Sequence, residues 1–138
     1  MKLFKVFIFI ILIPTTLFAS TEYFKEGLRF YEKKEFEKAK FKFEQDIVFN
    51  PKSEEAYLYL SKIYNEQDNK KLEEKNLNTV ILLNPKNEEA TYNLAKLKLK
   101  KSDFLGSKNL IDKLQTFCKD FCKKSQKLKI DIERSLKK

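Results

Sequence analysis

The residue types that carry most enzyme chemistry are scarce in this 138-residue chain. It contains no histidine, so the commonest general base and the commonest transition-metal ligand are both missing. Its two glycines, Gly27 and Gly106, are too few and too far apart for a phosphate-binding loop. The carboxylates fall at predicted helix starts and on alternating charged faces, a pattern typical of a solvated surface. We therefore predict that the protein is not an enzyme and needs no metal and no cofactor.

Cys118 and Cys122 form the one other group of reactive side chains. Two thiols are too few for a zinc site without histidine, and a spacing of four residues differs from the C-x-x-C redox motif. In an exported protein the two can form a disulfide that pins a final helix to the preceding repeat. In the alternative interpretation both are small buried side chains of one continuous helix.

Residues 1–19 have the organisation of a secretory signal peptide. Lys2 and Lys5 give a basic start, an unbroken apolar run follows, and small residues at Ala19 and just after it suit the cleavage site. The apolar run is too short to cross a bilayer comfortably, although a membrane anchor at residues 4–13 is the alternative. We expect an exported protein that is periplasmic or otherwise associated with the cell envelope.

The formal net charge of +9 is concentrated in the C-terminal third. Residues 96–138 contain 14 Lys and Arg against 5 Asp and Glu, whereas residues 20–95 contain 13 against 15. An exported chain does not meet nucleic acid, so such a block indicates contact with anionic lipid, an envelope polymer or an acidic protein. The alternative is a lysine-rich helix face that is merely solvated.

A repeated boundary divides the chain. The segment at residues 50–56 recurs at residues 84–90, with six of seven residues identical at an offset of 34. Its proline cannot continue a preceding helix, and Ser53 or Asn87 is then placed to cap the next one. Two glutamates follow in the first helical turn, where they face the positive end of the helix dipole. Each copy therefore predicts the end of one helix and the start of another.

Between these boundaries the apolar residues have helical spacing. The spacing predicts three helix pairs and a single final helix, at residues 21–33 with 36–49, 53–66 with 70–83, 87–100 with 103–117, and 122–136. The corresponding units are repeats at about 20–53, 54–87 and 88–121, followed by a capping helix at 122–138.

The period and its residue pattern resemble the tetratricopeptide-repeat (TPR) family, whose unit has aromatic and small residues at set places in both helices and a closing proline. In the first unit these places hold Tyr23, Gly27, Phe30, Ala39, Phe43 and Pro51. The second unit keeps Tyr57, Ser61, Tyr64 and Pro85, and the third keeps Leu94, Ala95, Phe104, Ser107, Ile111 and Leu114. The resemblance implies an all-α fold, a right-handed α-solenoid of three TPR helix pairs plus a C-terminal capping helix.

Some positions depart from the family pattern. Asp46 and Glu73 stand where small apolar residues are usual, and burying either charge without a partner would be costly. We therefore expect local slippage or partial exposure at both. The last helix carries Leu128, Ile132 and Leu136 on one stripe, which suits a helix that caps the solenoid.

The resemblance also implies a binding surface, because the first helix of each TPR unit lines a concave face that holds partners. The inward places are assigned to Phe24, Leu28, Tyr31, Leu58, Lys62, Asn65, Tyr92, Lys96 and Leu99. We predict a continuous exposed apolar strip rimmed by lysines; the alternative is that a wide apolar face packs under neighbouring helices. One TPR subclass grips C-terminal carboxylates of peptides with Lys and Asn, but Phe24 and Leu28 occupy two of those places here, so this mode is not expected.

The sequence thus predicts a non-enzymatic adaptor of the cell envelope that binds a segment of another protein in its groove. The alternative is a structural subunit of an envelope assembly, in which the basic residues 96–138 contact anionic membrane or polymer. Binding that salt abolishes would favour the alternative.

Overall fold

The structure is a computed structural model that describes residues 21–137, so the predicted signal peptide at residues 1–19 lies outside the described part. Within residues 21–137 the regular structure is entirely α-helical, and no helix there is long and apolar enough to span a membrane. The seven helices are α1 (Glu22–Glu32), α2 (Phe36–Phe49), α3 (Glu54–Glu66), α4 (Lys70–Leu83), α5 (Glu88–Lys100), α6 (Phe104–Gln115) and α7 (Cys122–Leu136). Each begins and ends within two residues of the predicted bounds, so the predicted helices are confirmed.

Helices that are neighbours in sequence are neighbours in space. The helices α1 and α2, α3 and α4, and α5 and α6 form three closely packed pairs, α2 packs against α3, and α4 packs against α5. The last helix, α7, packs mainly against α6. Contacts that run only between successive units define an α-solenoid, as the sequence predicts.

The turn inside each helix pair repeats with the same period as the sequence. Lys34, Asp68 and Ser102 have backbone φ angles of 59°, 51° and 62°, and no other non-glycine residue in the described part has a positive φ. The three positions are 34 residues apart. This left-handed conformation is unfavourable for residues other than glycine, so the packing of the two helices must hold it in place. The repeat therefore extends to backbone conformation, including the third unit, which lacks a closing proline.

The helix starts are capped at several of these boundaries. The Asn87 side chain accepts a hydrogen bond from the backbone N–H of Ala90 at 2.7 Å, as the sequence predicts. Ser53 also occupies an N-cap position but makes no capping hydrogen bond. Its hydroxyl instead donates to the carboxylate of Asp46 on α2. Ser53 therefore stands at the predicted N-cap position, but the predicted capping by its side chain is wrong, because the hydroxyl is turned towards Asp46.

Asp46 is buried without slippage. Its side chain is 1% exposed, and its two oxygens accept hydrogen bonds from the hydroxyls of Thr21 and Ser53. Helix α2 continues through this position without a break. The expected slippage or exposure at Asp46 is therefore wrong, because two hydroxyls at the starts of α1 and α3 satisfy the carboxylate.

The core of the first two pairs is built around Phe43, which is fully buried. Its ring stacks on Tyr59 with centroids 5.3 Å apart. A Cβ atom added to Gly27 would lie 2.6 Å from the same ring, which is closer than side chains can pack. Glycine at this position thus lets α1 and α2 approach, as the TPR pattern implies.

The C-terminal end is held by a disulfide and a carboxylate. Cys118 and Cys122 are joined by a disulfide, with their Cα atoms 5.3 Å apart. The Glu88 carboxylate accepts hydrogen bonds from the backbone N–H groups of Lys119, Asp120 and Phe121 at 2.7, 3.0 and 2.9 Å. These bonds, most of all the one from Phe121, lower the pKa of Glu88. The segment between α6 and α7 is therefore held in position without a closing proline.

Two of the three predicted capping side chains on α7 are buried. Leu128 and Ile132 pack into a core cluster with Ile111 and Leu114 of α6. Leu136, in contrast, is 48% exposed. The predicted apolar seam is therefore one turn shorter than the sequence suggests.

Candidate functional site

The first helices of all three pairs line a common cavity of about 320 Å³. Helix α1 contributes one residue, α3 and α5 contribute most of the wall, and α4 contributes one residue. The lining residues are Tyr31, Ser61, Lys62, Asn65, Glu66, Glu73, Glu89, Asn93, Lys96, Leu97 and Lys100. We call this cavity the groove cavity.

Four of the nine residues assigned to the partner site line the groove cavity, namely Tyr31, Lys62, Asn65 and Lys96. The sequence thus located residues on all three first helices that meet at one place. Whether they bind a partner stays a prediction.

Polar contacts already connect the walls of the cavity. The Lys62 ammonium forms an ion pair with Glu89 at 2.9 Å, which links α3 to α5. The Lys100 Nζ donates to Asn65 Oδ1 at 3.2 Å and links the same two helices. These two contacts therefore bridge α3 and α5 across the groove cavity.

The prediction of an exposed apolar strip is wrong in the first two helix pairs. Leu58 is only 8% exposed and belongs to the core cluster that also contains Leu77 and Leu94. Phe24 and Leu28 pack against a second core cluster. These three side chains complete the packing between helix pairs, which is the alternative interpretation of a wide apolar face.

The apolar residues assigned on α5 also pack inward. Tyr92 and Leu99 lie against the core cluster under α7, and the Tyr92 ring is 5.5 Å from that of Phe121. The face of α5 that meets the groove cavity instead carries Asn93, Lys96 and Lys100. The residues of α5 that face the groove cavity are thus shifted by one from the predicted ones at two places, with Asn93 and Lys100 in place of Tyr92 and Leu99. The Tyr92 ring instead packs on Phe121, in the segment that leads to α7.

Seven lining residues of the groove cavity were not assigned from the sequence, among them Glu73, Asn93 and Lys100. The signal for the last two was present, because Asn93, Lys96 and Lys100 have the i, i+3, i+7 spacing of one helix face. Glu73 is identified from the sequence as a departure from the TPR pattern. That pattern has a small residue at this position, so it does not predict where a long side chain would point.

Glu73 is the most buried ionisable group in the cavity wall. It is 6% exposed, although helix α4 runs through it without a break, so the expected slippage or exposure is wrong here too. Burial raises the pKa of its carboxyl, and the positive charges of Lys100 and Lys96 offset this rise only in part. Burial likewise raises the pKa of the Tyr31 phenol.

Comparison with solved structures identifies the fold. The first TPR domain of Spaghetti (RPAP3), bound to an HSP90 peptide SRMEEVD, is 11% identical, and the match covers 84% of this chain and 91% of that one with a TM-score of 0.76. The TPR2B domain of yeast Sti1, in a complex with pHsp70, is 14% identical over 82% of this chain and 94% of that one, with a TM-score of 0.75. The Yersinia enterocolitica type III secretion chaperone SycD, in complex with a peptide of the translocator YopD, is 14% identical over 82% and 88%, with a TM-score of 0.72.

No protein-family model matches the sequence, and no curated protein matches it. The structural matches nevertheless agree with each other and cover most of the described residues. The chain therefore has the TPR fold, an all-α helical repeat solenoid, as the sequence predicts.

Proposed function

We propose that the protein is a non-enzymatic interaction module that binds a segment of another protein in the groove cavity. The observation that carries the proposal is the convergence of side chains from α1, α3 and α5 on one concave space. A segment lying across these three helices would contact every repeat at once. The HSP90 peptide and the YopD peptide held by two of the similar TPR structures support the same use of the fold.

The chemistry of the cavity distinguishes this proposal from a purely apolar groove. Its wall carries three lysines, three glutamates and two asparagines, with Tyr31 and Leu97 as the apolar members. The partner segment is therefore held mainly by polar groups, four of which are already oriented by the ion pair and the hydrogen bond between α3 and α5. Preorganised polar groups give specificity, since a segment that leaves them unpaired is rejected.

Site-specific cross-linking tests the proposal. A photo-reactive phenylalanine analogue placed at Asn93 or Asn65 lies in the groove, whereas the same analogue at Leu82, which is 82% exposed and outside the cavity, is the control. We expect the two groove positions to cross-link one protein segment in envelope fractions, and the control position to leave it unlabelled. Equal labelling from Leu82 would place the contact elsewhere.

A second candidate function, as a structural subunit that contacts anionic lipid or polymer, is supported by helix α7. Ile130 is 46% exposed and Leu136 is 48% exposed, on a helix whose exposed side chains also include Lys124 and Lys127. Exposed aliphatic side chains among lysines suit an anionic interface. Vesicle sedimentation with and without anionic lipid decides between the two, because groove binding needs no lipid.

We also propose that the protein is exported and acts in the cell envelope. The support is the organisation of residues 1–19, which lie outside the described residues. Intact-mass measurement of protein from native envelopes should give a chain that begins at or near Ser20. A mass that includes Met1 would instead support a membrane anchor.

A further inference from the structure

Glu73 is a buried carboxylate that faces the groove cavity and lacks a partner. No residue in the described part forms an ion pair or a hydrogen bond with its oxygens. Its exposed fraction is 6%, yet it lines the cavity together with the small residue Ser61 of α3. Its carboxylate oxygens are not fully enclosed, because Gln45 Oε1 is the only enclosed side-chain nitrogen or oxygen without a hydrogen-bond partner in residues 21–137. The carboxylate of Glu73 therefore has free acceptor positions that a hydrogen-bond donor of a ligand in the groove cavity can reach.

The lysines around the cavity are directed to other groups. Lys62 pairs with Glu89 at 2.9 Å, and Lys100 donates to Asn65 at 3.2 Å. Lys96 lies with its Nζ 5.9 Å from the centre of the Tyr92 ring. The charges of Lys96 and Lys100 favour the ionised form of Glu73 from a distance, but neither ammonium reaches it.

The space beside Glu73 suits one long side chain with several hydrogen-bond donors. Asn65, Asn93 and Glu66 present further acceptors along the same cavity, and Tyr31 presents an aromatic ring. A guanidinium group pairs with a carboxylate through two parallel hydrogen bonds and stacks on aromatic rings, and an ammonium group makes the same ion pair as a point charge.

We propose that the partner segment inserts a basic side chain, arginine or lysine, into the groove cavity, where it pairs with Glu73. This inference rests on the proposed function and adds the chemistry that the partner must carry. The exposed lysines Lys96 and Lys100 lie at the rim, where they attract acidic groups. The recognised segment therefore has acidic residues close to its basic residue, which also keeps the rim lysines from repelling it.

A small probe tests the pocket directly. Nα-acetyl-arginine amide is titrated into the isotope-labelled mature protein and followed by NMR, with Nα-acetyl-citrulline amide as the uncharged control of nearly the same shape. We expect the arginine probe to shift the amide signals of Glu73 and Asn93, and Glu73→Gln to weaken that binding at least tenfold. Glu133→Gln, which removes an exposed carboxylate on α7, should leave it unchanged. Equal binding of the citrulline probe, or no response at Glu73, would overturn the inference.

A peptide selection separates the inference from the function on which it rests. Random 12-residue peptides are selected in parallel on the wild-type protein and on Glu73→Gln, whose folding is checked by thermal melting. We expect groove-binding peptides from the wild type to share a basic residue with acidic neighbours, and to bind the variant at least tenfold more weakly. Groove-binding peptides that lack a basic residue and bind both proteins equally would overturn the inference and leave the proposed function standing. A selection that yields no groove-binding peptide would overturn both.

Discussion

The hydrogen bond between Asp46 and Ser53 should contribute measurably to the stability of the solenoid. Asp46 is 1% exposed, and the Ser53 hydroxyl that donates to it is also buried. Replacing Asp46 by Ala leaves this hydroxyl without its acceptor and also releases the hydroxyl of Thr21. A buried polar group left unsatisfied costs about 1–3 kcal/mol. Because Thr21 lies partly in solvent, we expect Asp46→Ala to lower the free energy of unfolding by about 2–4 kcal/mol.

A double-mutant cycle isolates the bond itself. The free energy of unfolding is measured from urea curves, followed by circular dichroism at pH 7, for the wild type, Asp46→Ala, Ser53→Ala and the double variant. We expect a coupling energy of about 1–3 kcal/mol, since the acceptor is a carboxylate and the pair is shielded from water. The exposed pair Asp131 and Arg134, 3.7 Å apart, is the matched control and should show almost no coupling.

The result that would refute this reasoning is additivity. If the Asp46 and Ser53 variants couple no more strongly than the exposed pair, the buried carboxylate draws no net stability from its hydroxyl partner. A changed urea dependence in either single variant would instead mean that the native or denatured state has altered, and the cycle would then be repeated with Asp46→Asn.

Three further predictions concern the core, the buried charge and the disulfide. Phe43→Ala should lower the free energy of unfolding by about 3–5 kcal/mol, measured by urea unfolding, because it empties a fully buried site; a loss as small as that of a surface variant would contradict the packing. Glu73→Gln should raise the free energy of unfolding at pH 7, because burial raises the pKa of Glu73 in the folded state and penalises only its ionised form. This gain should shrink as the pH falls and the carboxyl becomes protonated. A destabilising effect at pH 7 would mean that the carboxylate has a partner. Reduction of the Cys118–Cys122 disulfide should cost about 1–2 kcal/mol, since it closes a short loop; two free thiols in the unfolded, unreduced protein would show that the bond is absent.

The sequence was sufficient for the fold because the repeat acts through local chemistry. The prolines at 51 and 85 end helices, Asn87 caps one, and Gly27 admits the Phe43 ring, and each effect needs only neighbouring or periodic residues. These signals recur every 34 residues, so a helix boundary that is weak in one repeat can be located from the same position in another. The helix pairs could therefore be predicted without a structure.

The candidate site was only partly predictable because its residues depend on helix rotation. A rotation of one position on α5 exchanges Tyr92 and Leu99 for Asn93 and Lys100, and the linker aromatic Phe121 decides it by packing on Tyr92. The direction of a long charged side chain is equally hard to predict, because tertiary packing determines that Glu73 lines the cavity. Periodicity identifies a helix face but does not settle such competition between neighbours.

The central claim, that the groove cavity binds a segment of another protein, is tested most directly by one affinity comparison. The segment identified by cross-linking is titrated against the wild type, against Lys96→Ala/Lys100→Ala in the groove, and against Lys124→Ala/Lys127→Ala on α7, which removes the same charge elsewhere. All four lysines are exposed, so both variants should fold normally. We predict at least a tenfold loss of affinity, about 1.4 kcal/mol, for the groove variant and less than a twofold change for the α7 variant. Equal affinity of the groove variant and the wild type, or a larger loss in the α7 variant, would contradict the claim.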